Sequence, residues 1–177
     1  MWKRGSRRGH DEGTDEFIDS ALGRVRRSRF GWISEPRLIP AFAPATLAVD
    51  LDEGAVSDGA ITKSAAEAMR SFLSLSTDVL RHSTVLEAVR LNYEENREFF
   101  CPEGLPAQDD AGLLAYTEAI NVGVETAGRE PYVIVECSCA WEPDHNLAFY
   151  FKHGHAITRV SQYDGHIDGP GSIHQGP

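Results

Sequence analysis

Aspartate and histidine side chains near the C-terminal end of the chain have the residue types most suited to chemistry. Asp144 and His145 lie in a predicted turn, and Asp164 and His166 follow a later predicted strand. Two carboxylates and two imidazoles at one end of a sheet could bind a divalent cation, or form a carboxylate–histidine pair for acid–base work. A structural role is the alternative, since short polar side chains satisfy the backbone groups of turns.

Three predicted strands must position these residues. Alternation of apolar and polar residues predicts strands over 132–141, 147–152 and 156–161, joined by a turn at 142–146 and a tight turn at His153 and Gly154. The third strand then ends beside the first turn, which places Asp164 and His166 near Asp144 and His145. His153 and His155 fall at the opposite end of the hairpin, about 17 Å away at 3.3–3.4 Å per residue. This distance argues against one zinc site that includes them.

Cysteines do not supply a clear reactive site. Cys137 and Cys139 share a strand face with valine and tryptophan residues, the pattern of small core residues. The alternative, a Cys-x-Cys metal or redox pair, lacks the second pair and the spacing of zinc motifs. The sequence also contains no glycine-rich phosphate loop, no Ser or Cys nucleophile motif and no HExxH helix. It therefore predicts no cofactor and no catalytic residue.

The remaining elements predict an α+β fold. Short alternating segments between residues 17 and 51 predict the first strands, and 113–124 predicts one or two more. Between them, apolar residues recur at helical spacing over 61–73, and a capping-box pattern at 84–87 begins a second helix. We expect an antiparallel, mostly meander sheet with two sequential helices packed on one face.

Composition limits the class of protein. The 177 residues suit one domain, with a basic disordered tail at 1–16, a folded region at 17–167 and a frayed end at 168–177. The formal net charge is −10, and the body is acidic, which argues against nucleic acid as a partner of the folded domain. No apolar run is long enough for a membrane helix, and no secretory signal is visible. With three sparse cysteines, these features predict a cytoplasmic protein.

Three segments together resemble a family of uncharacterised bacterial domains. They are Asp19–Val25 followed by Phe30-Gly31-Trp32, the helical pair over 61–93, and Trp141–Leu147 with Phe151–Gly154 behind it. The last is similar to the family's Trp-x-x-Glu-His-Gly-Leu turn, whose positions here are Trp141, Asp144, His145, Asn146 and Leu147, with Gly154 in the following turn. Asp144 stands for Glu, Asn146 for Gly, and His153 for Asp. The resemblance implies a small α+β fold and genes that often lie beside toxin–immunity genes; it implies no activity.

Two functional hypotheses follow, with a third alternative. The first is a non-enzymatic cytoplasmic protein that binds another protein, as an immunity-type or toxin-neutralising factor. The second is a divalent-metal-binding module or metal-dependent hydrolase that uses Asp144, His145, Asp164 and His166. The third is a structural accessory domain without a ligand. The acidic body favours a basic protein partner through complementary charge.

Overall fold

The computed structural model describes residues 16–100, 103–106 and 109–167. The first part of the chain contains β1 (Glu16–Asp19), β2 (Gly23–Ser28), β3 (Gly31–Ser34), β4 (Arg37–Leu38), β5 (Thr46–Leu47), β6 (Val49–Leu51), β7 (Val56–Ser57) and β8 (Ala60–Ile61). The helices α1 (Lys63–Leu73), α2 (Ser83–Phe100) and α3 (Asp110–Leu113) follow. The chain continues with β9 (Thr117–Ala127), β10 (Glu130–Cys139), β11 (Leu147–Lys152) and β12 (Ala156–Gln162).

Eight of these strands form one mixed sheet in the order β1-β2-β3-β6-β9-β10-β11-β12. Neighbours pair antiparallel except β6 and β9, which run parallel with Val49 opposite Val122 and Leu51 opposite Val124. The connection between these two strands contains α1, α2 and α3. The sheet is therefore two antiparallel halves joined side by side through one parallel pair.

The predicted architecture is wrong in its topology. We expect a mostly meander sheet with two sequential helices on one face, whereas the described residues form a mixed eight-stranded sheet and three α-helices. The physical reason is the crossover: the chain leaves β6, passes through the helices and returns beside β6 in the parallel direction, a connection that a meander of successive hairpins does not contain. The mixture of helices with a largely antiparallel sheet is confirmed.

Local signals in the sequence place α1 correctly. The side chain of Thr62 caps the helix by accepting a hydrogen bond from the backbone N–H of Ala65, at 3.4 Å. The predicted apolar stripe is buried, and Phe72 packs edge-on against Phe151 of β11 with ring centroids 5.0 Å apart. The helix is therefore held by one cap and one apolar face.

The sheet has two different faces. The face that α1 contacts carries the main apolar core, which includes Val124, Val133, Val135, Phe149 and Phe151. We call the opposite one the second face, and define it by the cross-strand row Asp50, Gly123, Ile134, Tyr150 and Arg159. Residues Tyr163 and Ile167, which follow β12, pack against the small apolar cluster on this second face. The second face is therefore partly apolar and partly charged.

The chain ends fall mostly outside the described residues. Of the predicted tail at 1–16, only Glu16 is described, and it begins β1. The predicted frayed end at 168–177 and Cys101 also lie outside the described residues.

Candidate functional site

The turn after β10 is fixed by a buried tryptophan. Trp141 has no solvent exposure, and its indole N–H donates a hydrogen bond to Oδ1 of Asn92 on α2 at 2.9 Å. The ring also meets Tyr93 edge-on, with centroids 5.6 Å apart. Because both contacts are on α2, Trp141 ties this turn to the helix. Its role is structural.

We expect Trp141→Phe to lower the free energy of unfolding by about 2–3 kcal/mol, because it leaves the buried amide of Asn92 unpaired as well as a small void. Urea unfolding of the wild type, Trp141→Phe, Asn92→Ala and the double variant would measure this. The coupling energy between the two sites should be about 1 kcal/mol. Additive effects of the two substitutions would contradict the assigned hydrogen bond.

Asp144 and His145 lie at the surface of this turn. Nδ1 of His145 lies 3.0 Å from Oε1 of Glu142, whose side chain is only 2% exposed, and the same oxygen accepts the backbone N–H of His145. Asn146 has a φ of 61°, which agrees with its place at a glycine position of the motif, and Leu147 is buried. The hydrogen bonds to Glu142 and the positive φ of Asn146 together determine the backbone conformation of the turn. Asp144 itself is exposed.

Asp164 forms an ion pair that the sequence did not reveal. Its two carboxylate oxygens accept hydrogen bonds from Nη1 and Nη2 of Arg159, at 3.0 and 2.5 Å. Arg159 also donates to the backbone carbonyl of His166. The hydrogen bonds from Arg159 lower the pKa of Asp164 below its ordinary value, against a smaller opposing effect of burial. Arg159 therefore fixes the segment that follows β12.

The four weak metal candidates do not converge. The backbone N–H of Tyr163 donates to the carbonyl of His145 at 3.2 Å, so the two segments are neighbours as predicted. Their side chains nevertheless take different partners, Glu142 for His145 and Arg159 for Asp164. Within residues 16–100, 103–106 and 109–167, no three His, Cys, Asp or Glu side chains are grouped so as to hold a metal ion.

His153 and the cysteines have other surroundings. His153 lies at the far end of the hairpin, where its Nε2 is 2.7 Å from Oε2 of Glu130. Cys137 and Cys139 are buried in the core, and burial raises the pKa of both thiols, that of Cys139 to about 11. A thiol that stays protonated is a poor nucleophile and a poor metal ligand.

A groove on the second face brings together polar side chains that the sequence analysis did not identify. Its cavity has a volume of about 240 Å³. The floor is at Gly123, which has Asp50 beside it on β6 and Ile134 on β10. Since glycine has no side chain, the groove stays open there. The polar residues that line it are Ser28, Asp50, Asp52, Asn121, Glu125, Glu136 and Tyr163.

The carboxylates of the groove differ in how well they are paired. Asp52 accepts the backbone N–H groups of Ala55 and Thr126, and Glu136 accepts Nδ2 of Asn146 at 2.8 Å. The side chains of Asp50 and Glu125, by contrast, have no hydrogen bond or ion pair with any residue that the structure describes. The oxygens of these two carboxylates are therefore available to accept hydrogen bonds from a ligand in the groove.

The pKa shifts of the groove residues agree with their lying close together. Loss of solvent raises the pKa of Asp50 and of Glu125, and the charge of Asp52 raises the latter further. The pKa of Tyr163 is also raised, first by burial and then by the nearby negative charges of Glu125, Glu136, Asp164 and Asp50. The phenol of Tyr163 therefore lies among several carboxylates.

One buried hydroxyl near the groove has no partner. Tyr150 is fully buried, its ring lies under the guanidinium of Arg159 at 5.0 Å, and its hydroxyl makes no hydrogen bond with the described part of the chain. Burial raises its pKa to about 12. Tyr150 lies directly opposite Ile134, which lines the groove, so the unpaired hydroxyl belongs to the same face of the sheet.

The sequence held a partial signal for this site. Alternation placed Glu136 with Tyr132 and Ile134 on the face opposite the core, and the structure agrees. Asp50 shows the same alternation between the buried Val49 and Leu51. No pattern in the sequence indicates that β6 pairs with β9, and this pairing is what brings Asp50 beside Glu125.

The fold and groove define the class of protein as an α+β domain with a ligand-sized groove on one face of a mixed sheet. None of the described helices is both long and apolar enough to cross a membrane. The chain matches the family described as Domain of unknown function (DUF6985) over residues 21–167, and it belongs to that family. No curated protein and no solved structure matches the chain.

Proposed function

We propose that this protein is a non-enzymatic, cytoplasmic bacterial domain that binds another protein through the groove on its second face, as an immunity-type or toxin-neutralising factor does. The observation that carries the proposal is the pair of unpaired carboxylates, Asp50 and Glu125, in an open groove. A basic partner would satisfy them, and the net charge of −10 would speed its approach.

An exposed aromatic residue favours a protein partner over a small metabolite. Phe30 lines the same groove and is 86% exposed, with the guanidinium of Arg29 5.1 Å from its ring centroid. Exposed aromatic side chains beside polar groups are typical of protein–protein contact sites. We assign Phe30 to the rim of the binding surface.

Metal chemistry has no comparable support. Of the four residues of that alternative, His145 contacts Glu142 and Asp164 pairs with Arg159, and no observation on the described residues favours a metal at any of the four. We therefore propose binding alone.

Co-expression with the products of neighbouring genes tests the proposal. The expected result is a complex that co-purifies, protects cells if the neighbour is toxic, and weakens with salt because its contacts are ionic. Asp50→Asn with Glu125→Gln should weaken this complex at least about tenfold, since two charge-assisted hydrogen bonds are lost. Glu118→Gln, on the same strand but outside the groove, is the matched control. A complex that tolerates the double variant would refute the use of this groove, and no complex with any neighbour would refute the immunity-type role.

Glu125→Gln should raise the thermal stability of the free protein. Its carboxyl has a raised pKa in the fold, so its contribution to stability is complete below the pKa of the unfolded chain and is lost as pH rises through the folded value. At pH 7 the ionised group therefore opposes folding. We expect Tm to rise by about 1–3 °C at pH 7, with the gain absent near pH 4. Differential scanning calorimetry at both pH values measures this, and an equal gain for Glu118→Gln would contradict it.

A further inference from the structure

The spacing of the groove carboxylates suits an organic cation better than a metal ion. Asp50 lies opposite Gly123, whereas Glu125 is two residues further along β9, so the two carboxylates are diagonal neighbours. On paired strands the Cα atoms of such diagonal neighbours stand roughly 7–8 Å apart. A bare metal ion needs its ligands at about 2.0–2.6 Å, and no described group of residues meets that condition. A planar cation with several outward donors can reach both carboxylates at once.

Guanidinium has the donors that this arrangement requires. It presents five N–H groups in a plane, is weakly hydrated, and stacks on aromatic rings. The groove offers acceptors at Asp50 and Glu125, an aromatic wall at Tyr163, and a floor at Gly123 without a side chain. An ammonium group is compact and strongly hydrated, and it would leave one of the two carboxylates unpaired.

The unpaired hydroxyl of Tyr150 is an independent indication of a missing ligand. Buried polar groups are nearly always hydrogen-bonded, yet this one has no partner among the described residues. On the second face, Tyr150 lies directly opposite Ile134, which lines the groove. Its oxygen can accept a hydrogen bond from an N–H donor that enters from the groove.

We propose that the groove is a pocket for one arginine side chain of the partner protein, with the guanidinium held between Asp50 and Glu125 above Gly123 and its inner edge toward the hydroxyl of Tyr150. This inference rests on the proposed function and specifies the chemistry of the same site. It identifies the partner as a protein that presents an exposed arginine.

A peptide titration tests the inference without the partner. The probes are Ac-Gly-Gly-Xaa-Gly-Gly-NH2, where Xaa is arginine, lysine or citrulline, added to the full-length protein labelled with nitrogen-15 at low salt. The arginine peptide should produce saturable shifts of the backbone amides of Gly123 and Tyr163. The lysine peptide should bind at least about threefold more weakly, because it engages fewer acceptors, and the neutral citrulline peptide should show no saturation.

Variants assign the effect to the groove. Glu125→Gln and Asp50→Asn should each weaken the arginine peptide about tenfold, and Tyr150→Phe a few-fold. Glu118→Gln should leave its affinity unchanged. The amide spectra of the variants, compared with that of the wild type, show that each is folded.

The outcomes separate this inference from the proposed function. Equal shifts with arginine and citrulline, equal affinity for arginine and lysine, or equal weakening by Glu118→Gln would each overturn the arginine pocket. If a natural partner binds through the groove while the arginine peptide does not, this inference fails and the proposed function stands. If the arginine peptide binds but no partner is captured, the pocket stands and the immunity-type role fails.

Discussion

Gly154→Ala should destabilise the protein by more than about 3 kcal/mol, enough to unfold a substantial fraction of a typical domain at 37 °C. Gly154 lies in the tight turn between β11 and β12 with a φ of 74°, a left-handed conformation that costs an L-residue about 1–2 kcal/mol. A Cβ added there would also come within 1.9 Å of the backbone carbonyl oxygen of Ala68 on α1. That oxygen belongs to a helix backbone and cannot move without displacing α1. Backbone strain and steric clash therefore act together.

Two other glycines separate these contributions. Gly128 and Gly165 have φ values of 64° and 73°, but a Cβ at either would meet nothing within 4 Å. Gly128→Ala and Gly165→Ala should therefore show the conformational cost alone, about 1 kcal/mol. The additional loss in the free energy of unfolding in Gly154→Ala, compared with these two variants, measures the cost of the steric clash with α1.

Urea denaturation followed by circular dichroism gives all three values under the same conditions. If Gly154→Ala loses no more stability than Gly128→Ala, the close contact between Gly154 and Ala68 is absent. Recovery of stability in Gly154→Asn, whose side chain tolerates positive φ, would show that strain rather than the clash dominates. We expect no such recovery, because asparagine also carries the Cβ.

The three C-terminal strands and α1 could be predicted because their signals are local. Alternation over 132–161 depends only on neighbouring residues, and the turns between the strands are marked by Asn146 and by His153 with Gly154. The cap at Thr62 is similarly encoded within four residues. For these elements the identity of neighbouring residues was sufficient to predict the secondary structure.

In β9 the alternation of apolar and polar residues gave a wrong prediction, because the strand contains a bulge. Ile120, Val122 and Val124 alternate in the sequence, which predicts one shared face, but the register with β10 shifts so that Asn121 pairs with Glu136 and Ala119 with Cys137. Ile120 is left without a partner and is 44% exposed. A bulge of this kind inserts one residue and changes the phase, and alternation cannot reveal it.

The groove could not be predicted because it depends on a long-range choice. Asp50 and Glu125 are far apart in the chain and become neighbours only through the parallel pairing of β6 and β9. A strand as short as β6 carries no signal for its partner or direction, and the antiparallel meander was an equally consistent arrangement of the same elements. The site therefore follows from topology rather than from a motif.

The ion pair of Arg159 was hidden for a different reason. An arginine in a strand is normally assigned to solvent, and an Asp-Gly pair is normally assigned to a turn. Here Arg159 is 1% exposed because the segment after β12 folds back across its strand, and Asp164 supplies the charge that burial demands. Neither residue alone indicates the ion pair, which accounts for the burial of Arg159.

Asp164→Asn should lower the free energy of unfolding by about 2–3 kcal/mol at pH 7. It removes the bidentate, charge-assisted contact of Asp164 with the buried guanidinium of Arg159, although solvent access at Asp164 and the carbonyl of His166 reduce the cost below that of a fully buried pair. Asp144→Asn, an exposed aspartate of the neighbouring turn, is the matched control and should change stability by less than about 0.5 kcal/mol. Urea denaturation at pH 7 measures both.

The pH dependence identifies the cause of this loss. Arg159 holds the pKa of Asp164 below its ordinary value of 3.8, so the stabilisation is complete above that value and is lost as pH falls through the lower folded pKa. The wild type and Asp164→Asn should therefore converge in stability as pH falls through the lowered pKa of Asp164. A gap that persists unchanged into acid would show that Asp164 acts through packing instead. Because the same ion pair fixes the segment that carries Tyr163, Asp164→Asn should also weaken binding in the groove, although its own side chain does not line it.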